Sequence, residues 1–134
     1  MKYLLLLLLF WGCEDKTFTR IYDKNIIAVP LHTLNISENN QSIKNMAIEA
    51  FKKSGFHIQS GALYVVEIEG AHYPKKCNNP QATAYDATYD GYAKLTLLKG
   101  LKRLYVCQKD FHGALDSAII EALIQKMKQD LKLP

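Results

Sequence analysis

Apolar and polar positions alternate in two periods along this chain. Ile43, Met46, Ala47, Ala50 and Phe51 recur at the i, i+3, i+4, i+7, i+8 spacing of one helix face. Lys44, Asn45, Glu49, Lys52 and Lys53 fall outside that stripe. Asn39 or Asn40 stands where a helix takes its N-cap, Lys52 and Lys53 suit the negative end of the dipole, and Gly55 supplies the stop. A second stripe of Leu115, Ala118, Ile119, Ala122 and Leu123, extended by Met127 and Leu131, predicts a C-terminal helix running almost to Pro134. Period-two patterning marks the strands. The β-branched run at 25–31 predicts a strand, with Pro30 suggesting an edge or bulge. The stretch at 35–40 reads as a loop. Phe56, Ile58 and residues 63–68 form the next β region, with Gln59-Ser60-Gly61 as its turn; Tyr64, Val66 and Ile68 share one face and Glu67 and Glu69 the other. After a polar loop at 73–80, Tyr85, Ala87, Tyr89, Gly91, Ala93, Leu95 and Leu97 line one face of a long strand. Asp86, Thr88, Asp90, Lys94 and Thr96 line its other face. Lys99-Gly100 signals a turn and 101–108 a returning strand.

The order β-α-β-β-β-β-α predicts an α+β fold. Two helices would pack on one face of a largely antiparallel sheet of four to five strands, giving a two-layer sandwich whose other face stays exposed. No internal repeat or low-complexity segment interrupts it.

The first residues follow a different pattern. Lys2, leucine throughout 4–9, then Phe10-Trp11-Gly12-Cys13, is a charged n-region, a short apolar h-region and a small residue before cysteine, as in a secretory signal peptide. The apolar run is far short of the roughly 20 residues that span a bilayer. A cysteine directly after the small residue resembles the bacterial lipobox, although Phe10 stands where the usual lipobox has leucine and Trp11 is bulky. The resemblance implies cleavage of residues 1–12 and an acyl-modified Cys13 as the first mature residue. Residues 13–24 are then a lipidated N-terminus with a short polar tether, and residues 25–134 a single domain. An ordinary signal peptide with a coincidental cysteine is the alternative.

Composition narrows the chemistry. Of 134 residues, 17 are Lys or Arg and 13 Asp or Glu, for a formal net charge of +4, which permits an anionic partner without demanding one. No basic block, zinc-finger spacing or aromatic-glycine motif points to nucleic acid. With Cys13 acylated, Cys77 and Cys107 are left over, and an exported chain with two such cysteines suggests one disulfide; two thiols, one or both buried, is the other possibility.

His32, His57, His72 and His112 form no metal-ligand pair at helical or hairpin spacing and read as surface or loop residues. Asp86 and Asp90 on one strand face look like a carboxylate pair but fit an ordinary solvated face. No nucleophile elbow, P-loop or H-E-x-x-H is present, and Cys77 and Cys107 are too far apart for a redox motif. No catalytic residue, cofactor or metal is expected. The remaining candidates are Lys99, Lys102 and Arg103, clustered at the hairpin tip where they could hold phosphates, with Lys75 and Lys76 on the preceding loop. A solvated turn is the plainer account. Tyr85 and Tyr89 read as core residues under a helix, and with Tyr92 they could otherwise form a binding stripe.

A small residue and tyrosine segment, Gln81-Ala82-Thr83-Ala84-Tyr85-Asp86-Ala87, leads into Tyr92-Ala93-Lys94-Leu95-Thr96, then a turn, then Leu104-Tyr105-Val106. With the helix at 47–55 and the terminal helix at 118–131, this ordering resembles the lipopolysaccharide-assembly lipoprotein family (LptE-like). The likeness lies in the pattern of elements over most of the mature chain. It implies a non-enzymatic lipoprotein of the cell outer membrane, on its periplasmic face, that partners an outer-membrane β-barrel translocon and contacts lipopolysaccharide. Carried over, Lys99, Lys102 and Arg103 would meet lipid phosphates. The chain departs from the family in having Glu14 and Asp15 after the cysteine, where acidic residues can favour inner-membrane retention, and in its Cys77/Cys107 pair. Two other classes remain open. One is a surface or periplasmic lipoprotein that binds a small ligand or a host or envelope partner. The other is a peptidoglycan-synthase activator, which usually carries a longer disordered tether.

Overall fold

Asn40 opens the first helix. In the computed structural model, which describes residues 17–73 and 89–134, its side chain accepts the backbone N–H groups of Ser42 and Ile43 at 3.0 and 3.2 Å. Two otherwise orphaned donors are thereby satisfied. The helix, α1, spans Gln41–Lys53 and buries Ala47, Ala50 and Phe51, with Ile43 and Met46 packed at the margin of the core. It ends at Ser54, and Gly55 follows with φ +96, a conformation that costs a residue without Cβ little.

Among the described residues six strands form one mixed sheet: β1 (Thr17–Ile21), β2 (Thr33–Ser37), β3 (His57–Ile58), β4 (Tyr64–His72), β5 (Gly91–Lys99) and β6 (Lys102–Phe111). Their order across the sheet is β1-β6-β5-β4-β2-β3. β4, β5, β6 and β1 pair antiparallel in succession, whereas β2 pairs parallel with both β3 and β4. The second helix, α2 (Ser117–Asp130), is capped by Asp116, whose carboxylate accepts the Ile119 N–H at 3.1 Å. Both helices cover the same sheet face, where Val66, Ile68, Leu95, Leu97, Tyr105 and Cys107 are buried.

The α+β architecture with two helices on one sheet face is as expected, but the sheet has six strands and is mixed. The parallel pairs follow from connectivity: α1 carries the chain from one end of β2 back to the other, so the strands that follow run alongside it in the same direction. The first strands also differ from expectation. Residues 25–31 form no strand. Asp23 caps a 3-10 turn at Lys24–Ile26, Ala28 adopts φ +63, and its N–H donates to the Leu131 carbonyl at 2.8 Å. This segment seals the core with Ile26 and Leu31 as plugs, and Pro30 lacks the donor a strand interior needs. The strand lies instead at 33–37, where Leu34 and Ile36 point inward between Thr33, Asn35 and Ser37. Thr17–Ile21, within the stretch expected as a tether, is the edge strand β1 on β6.

The α2 stripe is rotated from the expected one. Ile120, Leu123, Ile124 and Met127 are buried, while Ala118 and Ala122 are exposed. A volume argument decides this: the large side chains fill the space over the sheet and the alanines give up little by facing water. Tyr89 stands outside β5, half-buried and stacked on His112 with ring centroids 4.7 Å apart. Tyr85, Asp86, Lys75 and Lys76 lie outside the described residues, as do Cys13 and Cys77.

Candidate functional site

Gly100, with φ +63, and Leu101 make the two-residue turn between β5 and β6, in which Lys99 faces Lys102. A positive φ at the first central position alone is the pattern of a type II′ turn, which suits the twist of a hairpin. Leu101 is therefore a turn residue, not part of the returning strand, and it is 100% exposed.

One residue later the ladder is irregular. Leu98 pairs with Arg103 but Leu97 pairs with Tyr105, so Leu104 is an extra residue on β6. The bulge changes the side-chain alternation. Tyr105 turns toward α2, where its hydroxyl donates to Asp130 at 2.7 Å, and burial pushes that phenol's pKa up. Arg103, two positions earlier, lies beside Leu98 on the opposite, helix-free face. There its guanidinium carbon is 5.5 Å from the centroid of the Tyr22 ring, and that of Arg20 from β1 is 4.8 Å away. Two cations thus lie within cation–π range of one exposed tyrosine. Lys102 turns the other way and donates to Asp23 at 3.0 Å. That hydrogen bond is the main reason the Asp23 carboxyl is held below its ordinary pKa.

The structure thus gathers Lys99, Lys102 and Arg103 at one end of the sheet but gives them different partners. It adds residues that sequence periodicity missed: Arg20 on β1, Tyr22 just past its end, and two exposed leucines. Leu63 immediately precedes Tyr64, which pairs with Lys99, so the register sets it beside the turn; it is 61% exposed. The clue to Arg20 and Tyr22 was the alternation of Phe18, Arg20 and Tyr22 with Thr19 and Ile21, a strand pattern in a stretch otherwise read by its charge.

Elsewhere the helix-free face is polar and internally paired. Glu69 accepts from Tyr92 at 3.1 Å and lies 3.4 Å from Lys94, and Tyr73 donates to Asp110, which raises the Tyr73 pKa to about 12. All four histidines are exposed. Asp90 has a structural partner, accepting the Gly113 backbone N–H. Among the described residues no group of three or more His, Cys, Asp or Glu could hold a metal ion, and no helix is long and apolar enough to cross a membrane. Cys107 is buried under α2, its thiol directed at the Leu123 carbonyl 3.6 Å away.

An open-faced α+β sandwich with a mixed six-stranded sheet is the class these features define. No protein-family model matches the chain, and no curated protein matches it in sequence. Among solved structures it is similar to a PelC dodecamer from Paraburkholderia phytofirmans, at 13% identity and a TM-score of 0.48, over 87% of this chain and 97% of that one.

Proposed function

We propose that this protein is a non-enzymatic envelope lipoprotein of the lipopolysaccharide-assembly type. In this reading it is anchored through Cys13, partners an outer-membrane β-barrel and contacts lipopolysaccharide with the hairpin end of its sheet. The observation that supports it most is the separation of the two ends. Thr17, four residues after Cys13, pairs with Lys109, whereas the basic turn sits at Lys102. Along β6 that is about 23 Å. The chain between Cys13 and Thr17 reaches at most about 14 Å. The proposed anchor is therefore too short to reach the basic tip, which suits a domain that presents its tip to a partner. The short reach also disfavours the synthase-activator reading, which calls for a long tether.

Lys99 and Arg103, and to a lesser degree Lys102, which already donates to Asp23, supply donors for lipid phosphates, and such exposed contacts weaken with salt. Replacing all three with Ser is expected to reduce lipopolysaccharide binding by the purified protein, most clearly at low salt, and to leave the melting temperature nearly unchanged because turn side chains bury little. Equal binding by both proteins would remove the tip from the mechanism. No binding by either would favour a surface lipoprotein with another ligand.

A further inference from the structure

The hairpin end is as apolar as it is basic. Leu101 in the turn is 100% exposed, Leu63 just before the start of β4 is 61% exposed, and Tyr22 is 42% exposed with the guanidinium carbons of Arg20 and Arg103 at 4.8 and 5.5 Å from its ring centroid. Among the described residues no carboxylate oxygen lies within 4 Å of the charged nitrogens of Arg20, Lys99 or Arg103, although Asp23 feels the Lys99 charge at longer range. A site for a soluble polyanion gains nothing from bare leucines at its apex. Exposed aliphatic side chains, a tyrosine and cations at one end of the sheet, with Glu67 and Glu69 further along the same face as Arg103, instead suit a lipid–water interface, where acyl chains, headgroup boundary and phosphates follow one another in depth.

We propose that this end docks on an anionic lipid surface, with Leu101 and Leu63 entering the acyl boundary, Tyr22 at headgroup level and Arg20, Lys99 and Arg103 on the phosphates. The proposal deepens the lipid-contact reading of the same tip and rests on it. It adds that the ligand is an amphiphile held by insertion as well as by charge. Lys102 stays with Asp23 and contributes least.

The chain's one tryptophan, Trp11, lies in the leader, and the described core runs from Ile26 to Leu131. The chain from Glu14 onward therefore contains the whole described core and no tryptophan. In that chain Leu101→Trp, at a fully exposed turn position, places a single fluorophore at the apex. With phosphatidylglycerol vesicles its emission is expected to shift to shorter wavelength and to be quenched by brominated acyl chains, with neither change on phosphatidylcholine vesicles. In the chain with Leu101 retained, Leu101→Asp is expected to weaken vesicle binding about tenfold while the melting temperature holds. Association without a shift would overturn insertion and leave a purely electrostatic contact. An equal shift on neutral vesicles would overturn the role of the cations, and no association would overturn the proposal outright. Insertion into vesicles together with no lipopolysaccharide binding would sustain this inference while removing the lipopolysaccharide reading.

Discussion

Cys107 shows how one side chain answers to burial. It lies under α2, and desolvation of the thiolate pushes its pKa up to about 12. The unfolded thiol titrates near 9, so in the reduced protein the folded chain keeps a proton that the unfolded chain gives up. Its stabilising effect is whole below that pH and is lost as pH rises toward 12. Tyr73, raised to about 12 chiefly by donating to Asp110, acts in the same direction from about pH 10 upward. The melting temperature of the reduced protein is therefore expected to hold to about pH 9 and fall above it. A flat profile to pH 11 would contradict this. The Cys77–Cys107 bridge is a separate proposal, read from cysteine number in an exported chain. Under oxidising conditions the unreduced protein is expected to lack a pair of hydrogens by mass, and alkylation of both thiols without reduction would refute it.

At the scale of elements, the hairpin of β5 and β6 depends on a close approach at its open end. A Cβ on Gly91 would strike the Ala71 carbonyl on β4 and stand 2.7 Å from the Phe111 ring on β6. The carbonyl is backbone held in a ladder and cannot yield as a flexible side chain does. Gly91→Ala is expected to destabilise the protein by about 1–3 kcal/mol, measured by urea denaturation, by prising the three central strands apart. The helices are tied to each other at the surface: Lys128 donates to the Ser54 carbonyl at 3.0 Å, and Lys53 lies 3.4 Å from Glu121. The exposed Lys53–Glu121 pair contributes little; the helices are held chiefly by the buried side chains beneath them.

For the whole molecule, the direction of β1 matters most. Because it runs antiparallel to β6, it sets Thr17 at the end of the sheet away from the turn. If Cys13 is acylated as proposed, the anchor joins the chain four residues before that end of the sheet. The mature protein is expected to start at Cys13 with a mass raised by its acyl groups. A mature N-terminus elsewhere, or an unmodified Cys13, would refute the anchor. One acyl chain holds weakly and two or more hold stably, so the number of chains found also bears on how firmly the domain is placed.

Much of this arrangement follows from local pattern. The α1 stripe, its Asn40 cap, the Gly55 stop, the inward set Val66 and Ile68, and the Lys99-Gly100 turn all rest on interactions within a few residues, which the sequence states directly. Tertiary structure alone decided the rest. The apolar run at 25–31 had strand composition, yet it closes the core beside Leu131, a contact no local rule encodes. The segment 17–21 is a strand because β6 offers an edge to pair with. The rotation of α2 was settled by which side chains fit over Leu95 and Leu97. The pairing of Arg20 and Arg103 around Tyr22 needed both that edge and the bulge at Leu104, which undoes the simple alternation from Tyr105 back to Arg103. Periodicity carries information along the chain, whereas the candidate site is made across it.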